Sequence, residues 1–339
     1  MKRLIKKKYR LLVFSIEACI FIIALFLAYN AVSFPAKKTT FHLKDSNIST
    51  LICTLNEKGY HTYAIDAYIL KLMPKVKKGW YQLEAKKQGR FQFLNTLHTY
   101  HEPSLNIKVF AGETTQQLIA RLANDIKLNP KILLAYYKKK SKYKEANIFS
   151  GYYNLPRHAD ENTTINILFD ASNKILENFQ TNFCHKKIQK KDMKIFLTMA
   201  SIIQKESNAI HEMPFIASVI YNRLLKSMKL QMDGTLNYGK YSHTIVTPER
   251  IKNDTSTYNT YKYKGIPPHP LSTISIEALQ AAYHPAQTDY LFFMLNKNGS
   301  HNFSKTYKEH LVNIRAFRAK IKKKTNNDTN TSKSIKTFL

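Results

Sequence analysis

Glu206 stands where the sequence calls for an apolar side chain. A helical pattern that opens near Asp192 and runs to about Ser207 carries Ile195, Met199 and Ile202 at steps of four and three residues, and Glu206 is the next position in that series. Asp192 is the expected N-cap of this helix. Burying an unpaired carboxylate is costly and raises its pKa, so this position can make a general acid that keeps its proton near neutral pH. The same pattern also allows a Glu that emerges to solvent in the last turn or pairs with a cation.

The elements that follow are those that would have to complete such a site. A second helix is expected from about Pro214, with Ile216, Val219, Ile220 and Leu224 on one face and Tyr221, Asn222 and Arg223 on the other. It leads into Leu230-Gln231-Met232-Asp233-Gly234-Thr235, a polar turn able to fold over the end of the Glu206 helix. Asp233 is therefore the second carboxylate within reach, either as a chemical partner or as an organiser of its own turn. Downstream, Ser256-Thr257-Tyr258-Asn259-Thr260-Tyr261 and Gly265-Ile266-Pro267-Pro268 read as a rigid polar-aromatic loop, suited to sugar hydroxyls and ring faces. Leu291 to Leu295, a turn at Asn298-Gly299, and His301 to Ser304 form a β-hairpin pattern. A closing helix through Leu311, Ile314 and Phe317 completes this part, and the Lys/Asn/Thr-rich tail over 322–339 is expected to be disordered.

Several classes are excluded. With nine Gly the chain has neither GxGxxG nor GxxxxGK[ST], and none of its three Cys forms CxxC. His211-Glu212 lacks the second His of a zinc helix, and His284, His301 and His310 show no ligand spacing. No nucleotide, metal or other cofactor is expected. The 53 Lys+Arg against 23 Asp+Glu give a formal charge of +30, but only nine of those cations are Arg. Arg reads bases and phosphates bidentately, whereas Lys is a hydrated point charge. The excess therefore reads as a solvated surface or as attraction to an anionic polymer or membrane, with nucleic acid not an expected partner.

Upstream, Leu11 to Phe34 is an almost unbroken apolar run whose only charge is Glu17, near the basic end where it can snorkel. At ~1.5 Å per residue a helix of that length crosses a ~30 Å hydrocarbon core. Lys2, Arg3, Lys6, Lys7, Lys8 and Arg10 precede it, so the positive-inside rule keeps residues 1–10 in the cytoplasm and makes 11–34 a single plasma-membrane span that exports everything after it. A cleaved signal peptide is the alternative, and Tyr29-Asn30-Ala31-Val32-Ser33 fits a cleavage site poorly. Cys53 and Cys184 would then meet an oxidising compartment, but they fall in different structural units and are expected as buried free thiols.

In the exported part, a turn at Asp45-Ser46-Asn47 leads into an amphipathic helix from Ser49 to Leu55. The alternating Leu105 to Phe110 leads through Ala111-Gly112 into a helix capped by Thr114 or Thr115, with Leu118, Ile119 and Leu122 on one face. Both helices carry Leu-Ile-x-x-Leu, at 51–55 and 118–122, which points to a repeated strand-turn-helix module or to coincidence. Gly79-Trp80-Tyr81 reads as a sugar-stacking platform or as core packing. The turn-rich Gly151 to Pro156, a helix with Ile165, Ile167, Leu168 and Ile175, and the lysines from 186 to 191 place the domain boundary near Cys184.

Taken together, Ala200-Ser201-Ile202-Ile203-Gln204-Lys205-Glu206-Ser207, Ala217 to Leu224 and Leu230 to Gly239 resemble the core of the endolytic murein transglycosylases, the MltG or YceG-like family. So do Tyr258-Asn259-Thr260-Tyr261, Gly265 to Pro268, Ala281 to Pro285 and His301-Asn302-Phe303-Ser304. The blocks keep the family's order over roughly Lys191 to His310, and Ile107 to Ala123 is similar, more loosely, to its LysM-like part. The resemblance implies a membrane-anchored lyase that cuts peptidoglycan glycan strands internally and leaves 1,6-anhydro-N-acetylmuramoyl ends, with peptidoglycan synthases as candidate partners. Glu206 would be the catalytic acid and base. Gln231 and Asp233 would position the sugar, Tyr258, Asn259 and Tyr261 would line the groove, and Asn222 and His301 join the candidate substrate-binding set.

The chain departs from the family at Gly234, where Pro is usual, and at His269, where Gly is usual. Thr273-Ile274-Ser275 replaces an Asn-Pro-Gly turn, and Ser150-Gly151 replaces Glu-Gly. The expected architecture is α+β: the transmembrane helix, a small LysM-like α/β module within 40–184, and a mainly helical catalytic domain with a β-hairpin over 185–321. Two other functions fit the residues: a non-catalytic wall-binding scaffold, and a hydrolase using Glu206 with Asp233 as its second carboxylate.

Overall fold

The computed structural model describes residues 2–99, 103–207, 209–296 and 298–319. The tail expected to be disordered, from 322, lies outside them. The chain is a mixture of helices and two-stranded sheets, and it divides into two compact units. One comprises Met1–Asn106 with Asn154–Thr163, the other Ile107–Tyr153 with Thr164–Leu339. The boundary expected near Cys184 falls inside the second unit.

The first unit opens with α1 (Lys2–Ala31). Its apolar segment Tyr9–Ala31 is, among the described residues, the one stretch long and apolar enough to cross a membrane. β1 (Thr39–Leu43), α2 (Ile48–Glu57), α3 (Ala64–Leu72) and β2 (Gly79–Leu83) follow, then α4 (Arg90–Thr99). β1 and β2 pair antiparallel, with Thr39 opposite Leu83 and Phe41 opposite Tyr81. Alternation along β1 turns Phe41 and Leu43 inward, where they meet Leu51 and Leu55 of α2, Leu70 of α3, and Phe93, Leu94 and Leu97 of α4.

Trp80 is buried in this unit with its indole N–H donated to Asn154 Oδ1, so the Gly79-Trp80-Tyr81 segment serves packing. The buried Asp66 carboxylate receives Arg90 Nε and Nη2, both at 2.7 Å, and the Tyr29 hydroxyl at 2.6 Å. Cys53 is exposed, contrary to expectation, because it faces away from Leu51 and Leu55 on α2; Cys184 is buried.

β3 (Ser104–Val109), α5 (Thr115–Ile126), α6 (Pro130–Lys140) and β4 (Gly151–Pro156) repeat the order strand, helix, helix, strand, and β3 pairs with β4. Thr114 caps α5 in a reciprocal box with Gln117, and Asn129 caps α6 ahead of Pro130. The shared Leu-Ile-x-x-Leu pattern thus has a structural meaning. Leu51 and Leu55 in one module, and Leu118 and Leu122 in the other, are the inward residues of the first helix.

Beyond β4 the chain forms α7 (Glu161–Asn178), α8 (Lys190–Glu206), α9 (Met213–Leu225), α10 (Pro248–Asn253), α11 (Ile276–Tyr283), and a hairpin of β5 (Phe292–Leu295) with β6 (His301–Ser304). A last helix covers 307–319. α8 is central. Met199, Ala200, Ile202 and Ile203 share a buried cluster with Ile216, Val219 and Ile220 of α9 and with Ala278, Leu279 and Ala282 of α11. Asp192 is not its cap: α8 begins two residues earlier, after Gln189, which makes no side-chain cap bond. Ile195, expected in the core stripe, is 40% exposed, because Met193 and Leu197 carry the buried face of α8 in these turns and Ile195 lies off it.

Candidate active site

α8 delivers Glu206 as its last residue, and its register is fixed by polar ties as well as by packing. Ser201 Oγ accepts the Leu271 N–H at 3.0 Å and Gln204 Oε1 accepts the Ser275 N–H at 3.1 Å. Both side chains are buried, so each bond forms out of competition with water.

The turn after α9 folds over the end of α8, as its polar composition suggested. Gly234 lies in a single tight turn, Asp233–Leu236, and donates its N–H to Glu206 Oε1 at 2.9 Å. A Cβ at position 234 would lie 2.7 Å from that oxygen and 2.7 Å from Lys205 Cβ, closer than side-chain atoms pack. Only glycine allows this approach. Among the described residues Glu206 has no ion-pair partner. Its surface opens partly to solvent, yet protein atoms crowd the carboxyl enough that burial, aided by the negative charge of Asp233, lifts its pKa to about 7 against the Gly234 hydrogen bond. Since Oε1 is occupied as an acceptor, the proton of the acid form belongs on Oε2.

The residues singled out from the sequence separate into two groups. Asp233 is exposed beside Glu206, and its Oδ1 accepts the Tyr261 hydroxyl at 2.6 Å. Burial and the Asp233 carboxylate hold that phenol well above its ordinary pKa, so Tyr261 remains a donor. Gln231 is exposed in the same turn, at φ 51°, with its Oε1 facing Arg223 Nη1 at 3.3 Å. Tyr258 is mostly buried and stacks on Tyr238 with centroids 4.3 Å apart and planes 14° from parallel.

Asn222, Asn259 and His301 are occupied by the fold. Asn222 Nδ2 donates to the carbonyls of Thr288 (2.7 Å) and Tyr290 (2.9 Å). Asn259 is fully buried, donating to the carbonyls of Ile251 and Asp254 while its Oδ1 accepts the Tyr261 N–H at 3.1 Å. The His301 ring pairs through Nδ1 with Glu212 Oε2 at 2.6 Å, and the same oxygen accepts the Ser207 hydroxyl just past the end of α8. Burial opposes the Glu212 charge, but the bonds from His301 and Ser207 hold its carboxyl below the usual range.

Two further ionisable groups adjoin the site without a signal in the spacing. Glu145 accepts both the N–H and hydroxyl of Thr115, at 2.8 and 2.6 Å, and burial lifts its pKa to about 7. Lys205 donates to Ser242 Oγ at 2.8 Å, and burial lowers its pKa to about 8, with Glu145 acting in the opposite sense. The only sequence hint was that Lys205 neighbours Glu206.

The sequence profile of the YceG-like family matches residues 43–316. The chain belongs to that family. Among curated relatives, the endolytic murein transglycosylase of Bacillus subtilis (strain 168) is 36% identical over 146 residues, covering 43% of this chain and 40% of the relative. That of Streptococcus pneumoniae serotype 2 (strain D39) is 30% identical over 164 residues, 45% of this chain and 29% of the relative. The chain thus spans less than half the length of these relatives. A crystal structure of a YceG-like protein from Listeria monocytogenes is 27% identical, covers 81% of this chain and 98% of its own, and superposes with a TM-score of 0.49.

Proposed function

We propose that this protein is a lytic transglycosylase of peptidoglycan. The observation that carries the reading is Glu206: a carboxyl with a pKa of about 7, no cationic partner among the described residues, one oxygen held by Gly234 and the other free. A group of that kind can give up and recover a proton in one catalytic cycle. Glu206 Oε2 protonates the glycosidic oxygen as its bond to C1 breaks. The 6-hydroxyl of the same muramoyl sugar then closes on C1 and returns its proton to Glu206. Ordinary glycosidases need a second carboxylate to attack or to activate water, but here the substrate supplies the nucleophile. The relatives named as endolytic murein transglycosylases support the same reaction.

In this reading Asp233 and Tyr261, joined by their hydrogen bond, orient the sugar beside Glu206, and Gln231 contributes from the same turn. Tyr258 forms an aromatic wall. Asn222, Asn259 and His301 position the elements that carry the others. The strand-helix-helix-strand order of 39–83, and again of 104–156, supports a LysM-like assignment for both segments, with the catalytic domain built on α8, α9 and α11. α1 serves as the membrane anchor, with the basic N-terminus in the cytoplasm and the remainder outside.

The test is to incubate the full chain in detergent, wild type and Glu206→Gln, with peptidoglycan strands and to identify the new ends by mass spectrometry. Internal anhydro ends made by the wild type and absent with the variant are expected. The exposed carboxylate of Asp233 beside the acid supports hydrolysis as a second reading, and reducing ends would decide for it. Strands bound but uncut by the wild type would leave a scaffold.

A further inference from the structure

The second unit holds a cavity of about 590 Å³ that is lined by Lys142, Lys144, Lys190, Lys191, Lys194 and His269. Among the described residues none of these five lysines has a carboxylate within ion-pair distance. Glu145, next to Lys144, has its carboxyl directed to Thr115, and Asp192, in the first turn of α8, lines a different pocket with Ile195 and Met199. Three of the lysines lie in the first turns of α8, where the helix dipole is already positive and Gln189 offers no capping side chain. Cations there repel one another and the dipole, and no carboxylate among the described residues lines the cavity to relieve them.

His269 adds an independent sign. Its Nδ1 is buried without a hydrogen-bond partner. Burial, with Lys194 and Lys144 nearby, holds the ring below its ordinary pKa, so it is neutral and has an N–H to offer. One of the lining lysines also reaches a residue of the candidate active site. Lys144 Nζ lies 5.6 Å over the ring of Tyr258, the residue stacked on Tyr238. An occupant therefore sits one side chain away from the proposed aromatic wall of the groove, which favours an anionic group carried by the molecule being cut. Separate ammonium groups suit several carboxylates spread along a flexible chain, rather than the bidentate grip that one compact anion receives from Arg.

We propose that this lysine-lined cavity binds the carboxylates of the peptide stem on the glycan strand, so that the protein selects peptide-bearing over bare glycan. The proposal rests on the peptidoglycan reading above and adds a second recognition site to it.

The test measures binding of the full-length Glu206→Gln protein to insoluble peptidoglycan, either intact or stripped of its peptides by an amidase. The variant K190Q/K191Q/K194Q is expected to bind intact material about tenfold more weakly and stripped material unchanged. The corresponding Arg triple should retain binding. Removing cations from the start of α8 favours the helix, so lost binding would not be lost fold. A control triple on the first unit, K58Q/K75Q/K87Q, removes the same charge elsewhere. The proposal is overturned if the control weakens binding equally, if both materials are affected alike, or if neither is. Turnover is scored separately with the wild type. No new ends alongside a peptide-dependent binding difference would overturn the lyase reading and keep the cavity as a peptide site.

Discussion

Asp66 and Glu206 are both carboxylates withdrawn from water, one in each unit, and their pKa values move in opposite directions. Burial pushes both upward. At Asp66 it is more than offset by hydrogen bonds from Arg90, Tyr29 and the Tyr63 backbone together with the Arg90 charge, so the carboxyl is held below its usual range. At Glu206 a single backbone N–H opposes burial and a neighbouring negative charge, and the carboxyl rises to about 7. Fully partnered, a buried acid is structural; under-partnered, it is poised for proton transfer.

Removing each carboxylate breaks the comparison most directly. Glu206→Gln should lower the rate of strand cleavage by about a thousandfold, the scale of general acid catalysis. It should also raise stability at pH 8 by about 1–3 kcal/mol, measured by denaturant unfolding, because the folded state no longer holds a carboxyl that resists ionising. Asp66→Ala should do the reverse. It leaves Arg90 buried without its partner, and unfolding of the first unit should become easier by about 3–5 kcal/mol. If cleavage by Asp66→Ala fell as far as that by Glu206→Gln while the protein remained folded, the division of roles would be wrong.

The pH dependence follows from the same signs. Asp66 contributes stability above its ordinary pKa, and that contribution is lost as pH falls through its lower folded value. Glu206 costs stability progressively as pH rises from its ordinary 4.5 to about 7. Over that interval the stability curve of Glu206→Gln should lie increasingly above that of the wild type.

Subtler changes sharpen the account of Glu206. Gly234→Ala forces its methyl against Oε1 and Lys205, and kcat should fall about 100-fold with KM little changed, the effect of displacing a reacting group by about 1 Å. Wild-type activity should decline as pH rises through about 7, because the acid loses its proton. Asp233→Asn removes a charge that raises this pKa, so the declining limb should move to lower pH. Tyr261→Phe should have the smallest effect, a several-fold rise in KM read from initial rates, because it removes one hydrogen bond from an exposed carboxylate.

Much of the local structure was legible in the sequence because its causes are local. The turn at Asp45-Ser46-Asn47 into α2, the cap at Thr114, Pro214 in the first turn of α9, the hairpin around Asn298-Gly299 and the inward Leu pairs of the repeated modules all follow from residue type and spacing. Glu206 was marked by its place in an apolar series, and Asp233 by the turn that follows α9. Asn222 and Asn259 resembled ligands because polar residues beside a site suggest contact, whereas their amides satisfy backbone carbonyls that the loops leave bare.

By itself, then, the sequence determined several of the helices, the cap at Thr114, the apolar N-terminal segment and the place of Glu206 in an apolar series, since each is written in neighbours a few residues apart. The tertiary structure alone decided the rest. It brought Gly234 to Glu206 across 28 residues, joined Glu145 to Thr115, lined one cavity with Lys194 and His269, and placed α5 and α6 in the same unit as the acid. A carboxylate's pKa depends on every dipole and charge around it in space, and distant segments supply those only when the chain has folded.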